Sequence, residues 1–455
     1  DEELNFFLSN INKELYELDF VQVGNSKIRK KYLFDVIGEN YEFKEKKYSI
    51  SEELFKSVKN GKTCKSKIDK KYSFHDFKPI YRVVKNNVTK KKEYYKITDS
   101  IIKNEKLTMN RISKSISILP PETKFFGKEP QRNFKKNIFK VSDLYSRRNL
   151  ICLLLIKQRI DELKNSDLKK FLNFVFSSIL FNTSLMSRYR KYENTSIRMG
   201  TYYIPPLIKD NNVIESFNKK AKLILKHKQD IFKKYKYKNF SKIFLEDASK
   251  LNRIKTNSID FIYTDPPYGD VINYSELNIV YESWLGIHKK YKNEMIINSA
   301  SGKDENYYFN LFRKFLFQAS RVLKKNKSMV IVFHHPELDL WRKLQECLIE
   351  SKFFIKTSKF PIRIISNNKT ASQRQTNKNT QSFLALELVN LKKSNSSNLK
   401  KISSTEIAKI INQGKSKGYE TKSERYDFFI NHVFTKYKIP EDKNFKKTLE
   451  KYLLI

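Results

Sequence analysis

Glycine is scarce in this chain: 10 in 455 residues. No two glycines are separated by a single residue, so the close backbone turns that a Gly-x-Gly loop provides around a phosphate or a nucleotide are missing. Cysteine is rarer still. Cys64, Cys152 and Cys347 stand alone, without a Cys-x-x-Cys pair, and this excludes a disulfide framework. The six histidines are scattered, and only His334 and His335 are adjacent. A structural zinc site needs about four clustered ligands, so no metal is expected. No apolar run approaches the ~20 residues that span a bilayer, and no signal peptide is evident, so no membrane is expected and a reducing cytoplasm is. The chain begins with Asp1 rather than Met, which leaves room for residues upstream. Acidic residues are also short, 49 against 91 basic ones.

The outcome is a formal net charge of +42. Replacement of Arg by Lys does not account for a shortage of acids, so a polyanionic partner is expected, nucleic acid first among them. Hydrophobic residues make up 39% and aromatic residues 14% of the chain, enough for folded domains with sizeable cores.

The prolines punctuate the chain. Pro120-Pro121 and Pro130 mark a linker, Pro205-Pro206 ends a helical block, and Pro266-Pro267 stands in the most informative run of all. There the apolar, β-branched and aromatic stretch Ile259-Asp260-Phe261-Ile262-Tyr263 predicts a buried strand. Thr264-Asp265-Pro266-Pro267-Tyr268-Gly269 follows it directly. Two prolines stop the strand and stiffen the turn. A carboxylate and an aromatic ring are thereby held just past the carboxyl end of a strand, where open α/β sheets bind ligands. Such a loop suits a planar amine. Asp265 and the carbonyl of Pro266 would accept hydrogen bonds from the NH2, and the Tyr268 ring would stack on the base that carries it.

Around this point the chain divides into four parts. Residues 1–120 open with a helix over 1–18 and continue as a Lys- and Tyr-rich module with strand-like runs such as Ile80-Tyr81-Arg82-Val83-Val84. Interleaved basic and aromatic residues suit a DNA-facing surface, and equally an ordinary solvated one. Residues 121–240 are a helical region. Helices are expected over Leu150–Ile160, Leu168–Leu185 and the Lys-rich 213–240, with Arg147, Arg148, Arg188 and Arg190 at polar edges. Residues 241–395 are the expected catalytic core. Strands are expected over Ile243–Leu245, Ile259–Thr264, Ser328–Phe333, Phe353–Ile355 and Phe383–Val389. Helices are expected over Tyr274–Leu285, Phe309–Leu323 and Asp339–Ser351, and a polar mobile loop over Ser366–Gln381. Residues 396–455 are a basic helical tail.

Asp-Pro-Pro-Tyr resembles the catalytic motif of the S-adenosylmethionine-dependent DNA amino-methyltransferases. Its extension, Gly269-Asp270-Val271-Ile272-Asn273-Tyr274-Ser275-Glu276-Leu277 and then Tyr281-Glu282-Ser283-Trp284-Leu285, resembles the large bacterial adenine-specific DNA methylases, a branch that often carries a zinc-ribbon-like insertion. The likeness covers about residues 241–395. It continues more weakly over 120–206, through Val141-Ser142-Asp143-Leu144-Tyr145-Ser146-Arg147-Arg148-Asn149-Leu150 and Arg198-Met199-Gly200-Thr201-Tyr202-Tyr203-Ile204-Pro205-Pro206.

The resemblance implies an α/β fold: a Rossmann-like methyltransferase sheet with added basic and helical regions. It implies methyl transfer from S-adenosylmethionine to the exocyclic amine of adenine in DNA, with the base flipped out of the duplex, in a restriction-modification or defence setting. RNA guanine-amine methylation and a non-catalytic DNA-binding subunit are the alternatives. Asp265, Pro266, Pro267 and Tyr268 would be catalytic, and Asn273, Tyr274 and Glu276 would shape the base pocket, with core or capping roles open to them. Asp247 and Ala248, with Asp265, would meet the cofactor, Asp247 through its adenine end. A helix N-cap role for Asp247 stays open. His334 and His335 are expected to make structural hydrogen bonds.

The family's Phe-x-Gly-x-Gly loop has no counterpart here. Its nearest imitation is Tyr32-Leu33-Phe34-Asp35-Val36-Ile37-Gly38. The expected strands resemble the third to seventh of a seven-stranded sheet, with the first two missing between the strands ending at Asp247 and at Thr264. An upstream segment or a partner subunit is expected to supply them.

Overall fold

The computed structural model describes residues 2–21, 30–43, 46–48, 73–86, 88–190, 197, 200–235, 241–287, 293–335, 337–351, 353–355, 362–365, 382–390, 399–434 and 436–454. It is a mixed α/β structure in two compact units. One comprises Asp1–Phe240 with Ser275–Lys290, the other Ser241–Tyr274 with Tyr291–Ile455.

The first unit has an antiparallel sheet. Its strands are β1 (Phe20–Val21), β2 (Lys30–Phe43), β3 (Lys46–Tyr48), β4 (Ser73–Lys85), β5 (Lys92–Lys96) and β6 (Leu207–Asn211). The long β2 is central. It pairs with β4 along one side and with β1, β6 and β3 in turn along the other. Tyr32–Gly38 lies inside β2, with Gly38 paired to both Lys78 and Leu207. This segment is strand, not a phosphate-cradling loop, so it is no imitation of the missing glycine loop.

The helices of this unit are α1 (Glu2–Glu14), α2 (Asp99–Ser113), α3 (Arg147–Asp161), α4 (Ser166–Ile179), α5 (Val213–Tyr235) and α6 (Tyr274–Leu285), whose first residue belongs to the second unit. Side-chain oxygens start three of them: Ser146 Oγ accepts from Asn149 N, Asn165 Oδ1 accepts from Asp167 N and Leu168 N, and Asn212 Oδ1 accepts from Glu215 N. One apolar core takes in Leu4, Phe7 and Ile11 of α1, Leu153 and Ile156 of α3, Phe176 of α4, Phe217 of α5 and Trp284 of α6. It runs across residue 120, where the composition had suggested a boundary. Arg148 is buried in this unit. It pairs with Glu105, donates to the carbonyl of Leu18, and lies 4.1 Å above the Tyr32 ring. Arg198 and Met199 fall outside the described residues.

The second unit is built on a sheet in the order β10-β11-β8-β7. Its strands are β7 (Ile259–Thr264), β8 (Leu323–Phe333), β9 (Phe353–Ile355), β10 (Ile362–Ile365) and β11 (Ser382–Asn390), with β9 also pairing with β11. β7 and β8 are parallel, and β11 runs antiparallel between β8 and the shorter β9 and β10. The helices are α7 (Glu305–Val322), α8 (Leu338–Glu350), α9 (Ser404–Ser416), α10 (Lys422–Val433) and α11 (Lys443–Leu454). The basic tail thus does not stand apart. Ile407, Phe429 and Leu449 of its three helices share a core with Phe312 of α7, Leu344 of α8, Ile331 of β8 and Leu386 of β11.

Ile259–Thr264 forms its strand but not a buried one: Phe261 and Tyr263 are 56% and 64% exposed, because no described strand or helix covers that face. Another strand expectation fails outright. Residues 241–247 form no strand, and Ile243 and Leu245 are 96% and 79% exposed. Apolar, β-branched residues do not make a strand by themselves: their N–H and C=O groups need a ladder partner. None is present among the described residues. The polar run Ser366–Gln381 lies outside the described residues. Among them, no helix is long and apolar enough to cross a membrane, and no cluster of His, Cys, Asp or Glu could hold a metal ion.

Candidate active site

β7 and β8 are parallel and in register, Thr264 against Ile331, so both end at one edge of the sheet. Asp265 emerges there, exposed, while Pro266 behind it is buried. The loop is tied down from beneath. The buried Tyr308 of α7 donates its hydroxyl to the Pro267 carbonyl, and Ile297 N donates to the Gly269 carbonyl at 3.1 Å. Gly269 has φ +64°, and a Cβ there would stand 2.9 Å from Leu340 Cδ2. Glycine is therefore favoured by the backbone angle, and a Cβ would also push aside the end of the Leu340 side chain.

The Tyr268 ring meets Phe333 edge-on at 5.6 Å and His334 at 6.3 Å, both from the end of β8. Its hydroxyl donates to Asp265 Oδ1. Burial pushes the Tyr268 phenol well above its usual range, and the bond to Asp265 adds to this, so the hydroxyl stays a donor at any ordinary pH. The acid and the ring of the motif are thus coupled before any substrate arrives.

His335 is part of the support. Glu337 N donates to its Nδ1 at 3.1 Å, which assigns the ring proton to Nε2, and Nε2 faces Asp270 Oδ1 at 3.4 Å. Its carbonyl accepts from Trp341 Nε1 at 2.8 Å.

Tyr274 is half exposed. Burial raises its pKa, as do the negative charges of Asp265 and Glu294. Burial also raises Tyr307, with Glu294 and Asp247 contributing. Glu294 thus bears on both phenols, together with Asp265 on Tyr274 and Asp247 on Tyr307. Lys303 pairs with Glu294 at 3.2 Å. Asn273 is buried with no hydrogen-bond partner for its Oδ1, an acceptor left open beside the motif in sequence.

Asp247 caps a turn. Its Oδ1 accepts from Ser249 N at 2.9 Å and Ser249 Oγ at 2.7 Å, and its carbonyl accepts from Lys250 and Leu251. Burial acts to raise its pKa, but the Ser249 bonds, Lys250 and Asn293 outweigh this and hold it below the usual value. Ala248 is exposed in the same turn. Asp247 thus caps a turn, and no helix follows it to be N-capped; Asn293 reaches the same carboxylate.

Glu276 has a different place. It is buried in the first unit, where its carboxylate accepts from Glu129 N at 2.8 Å. Gly127, at φ +84°, leaves room for it: a Cβ there would overlap the carboxyl carbon. The Tyr202 hydroxyl donates to the Glu276 carbonyl at 2.8 Å. These contacts anchor α6 rather than line a base pocket.

The sequence reading passed over Glu294, Tyr307 and Tyr308. The first two lie in no motif, and Tyr308 carries only a helical apolar spacing. No protein-family model matches the chain, and no curated protein matches it.

Proposed function

We propose that this chain is the catalytic part of a DNA adenine methyltransferase, with a Rossmann-like sheet as its core, acting on an extruded base. The observation that carries the proposal is the Asp265–Tyr268 pair, rigidly seated past the carboxyl ends of two parallel strands. S-adenosylmethionine would supply the methyl group. The chain's own part is to hold the amine. Asp265 accepts one amine hydrogen and the Pro266 carbonyl the other, which turns the nitrogen lone pair out of conjugation. The Tyr268 ring stacks on the base and offsets part of the few kcal/mol that flipping costs. On substrate binding, the amine replaces the Tyr268 hydroxyl as the donor to Asp265.

DNA is the polyanion proposed for the +42 charge. The outer part of α5 supports this. Lys222, Lys226 and Lys233 share one exposed helical face, a spacing that suits successive phosphates.

A second reading is supported by the absence of any Gly-x-Gly spacing in the chain: Asp247 would then serve the adenine end of the donor alone. On this reading the chain binds DNA and a partner subunit, or a segment of chain outside 1–455, brings the Gly-rich donor loop. The two readings share Asp265 and differ in whether the 455 residues suffice.

The test is Asp265→Ala in an assay of methyl transfer from labelled donor to DNA. Transfer is expected to fall by a factor of at least ~100, in the range seen when a preorganised polar contact is removed, with DNA affinity unchanged. Equal transfer by variant and parent refutes the assignment.

A further inference from the structure

We infer that the free edge and outer face of β7 are a docking surface for a second polypeptide, less basic than this chain, which adds a strand beside β7. This deepens the reading above and rests on it only for what the added strand carries; the surface itself follows from the sheet.

Among the described residues, β7 pairs with β8 alone, and no strand lies along its other side. Parallel strands are ordinarily covered on both faces and continued at the edge. Here one face is covered: Ile262 packs on the core that holds Met329 and Ile331. The opposite face begins covered and ends bare. Val330 and Val332 of β8 are 9% and 6% exposed, but Phe261 and Tyr263 of β7 are 56% and 64% exposed. Tyr263 is the direct neighbour of Val330. Free edges are usually guarded by charge or proline. β7 contains no proline, and its single charge, Asp260, is already paired with Lys324 and Lys327. The same unit also holds Ile243, Phe244 and Leu245, exposed and without a ladder. A strand-bearing partner would satisfy the β7 backbone, cover the two aromatic rings and offer that trio a neighbour.

Charge selects the occupant. Two copies of a chain at +42 repel one another, so an antiparallel β7–β7 pair is disfavoured and a neutral or acidic polypeptide is favoured.

The test places a photo-crosslinking residue, p-benzoylphenylalanine, at Tyr263 of the full chain in the cells that make it. The exposed Val88 serves as control position. A different polypeptide, neutral or acidic, is expected to crosslink from position 263 and not from 88. That polypeptide is then identified, purified and mixed with the unlabelled chain. The β7 amide hydrogens should become slow to exchange, and Tyr263→Lys or Phe261→Lys should abolish this protection while leaving the thermal unfolding of the free chain unchanged. Three results overturn the inference: a crosslink only to a second copy, a crosslink only within the same chain, or none. Donor binding by the complex, measured separately by calorimetry, distinguishes the two levels. Protection of β7 without donor binding retains the docking surface and removes the methyltransferase reading.

Discussion

Single residues in this protein are set by what surrounds their charge. Asp265 and Asp210 are both aspartates, but one is exposed at the sheet edge and the other is sealed in the first unit. Asp210 accepts from Ser146 Oγ at 2.7 Å and from Asn149 Nδ2 at 2.8 Å, and burial raises its pKa from 3.8 to about 7. The folded Asp210 therefore keeps its proton where the unfolded one has lost it. Its contribution to stability is fully present below the unfolded value, is lost as pH rises from 3.8 to about 7, and is flat above that. Asp210→Asn keeps the shape and the Asn149 bond while removing the titration. Over this interval the variant should show a shallower fall in stability with rising pH than the parent. Denaturant unfolding at pH 5 and pH 7.5 reads the difference, and parallel curves would refute it.

The element that matters most is the turn after β7, and its rigidity is borrowed. Two prolines limit its backbone, Gly269 supplies a positive φ, and Tyr308 reaches from α7 to hold the Pro267 carbonyl. Tyr308→Phe removes only that hydroxyl. A carbonyl left without its partner costs about 1 kcal/mol, which corresponds to roughly 2–4 °C in the unfolding temperature of a unit this size. The larger effect should fall on turnover, because the loop that aims Asp265 loses its tether. The expected pattern is a lowered kcat with DNA affinity intact, followed by steady-state methylation kinetics and a DNA-binding titration. A variant with unaltered kcat would show that the prolines suffice.

At the scale of the whole molecule, charge and the edge of β7 that no described strand covers dominate. If the +42 is there to hold DNA, affinity must fall steeply with salt: a protein making several phosphate contacts loses orders of magnitude between about 50 and 200 mM. An affinity that stays flat through a salt titration would mean that the charge has no such partner. The proposed donor site makes a separate prediction. On the proposed reading, residues 1–455 alone should bind S-adenosylmethionine poorly, because Asp247 would meet only its adenine end and the chain has no Gly-x-Gly loop to cradle the methionine end. Adding a polypeptide that supplies a Gly-rich loop should restore binding, and calorimetry on both samples decides it. Tight binding by the chain alone would mean that the donor site lies elsewhere in it.

Much of this was written locally in the chain. The strand Ile259–Thr264, the proline turn after it, the helix Tyr274–Leu285 and the strand ending at Phe333 are legible because each is specified by neighbours within a few residues: an apolar run, a fixed φ, a helical spacing. What the sequence could not decide was anything requiring a partner far along the chain. Ile243–Leu245 has the composition of a strand and is none, since a strand is completed by another strand. Glu276 adjoins the motif in sequence but serves the first unit, because Gly127 and Glu129 made room for its carboxylate. Tyr32–Gly38 looked like half a nucleotide loop until β4 and β6 closed on it as strands. The tail looked separate until its apolar faces found α8 and β11. The motif's residue types and stiffness were determined by the sequence. Their tether to Tyr308 and the edge of β7 that no described strand covers were decided only by long-range packing, which brings together groups that no local pattern relates.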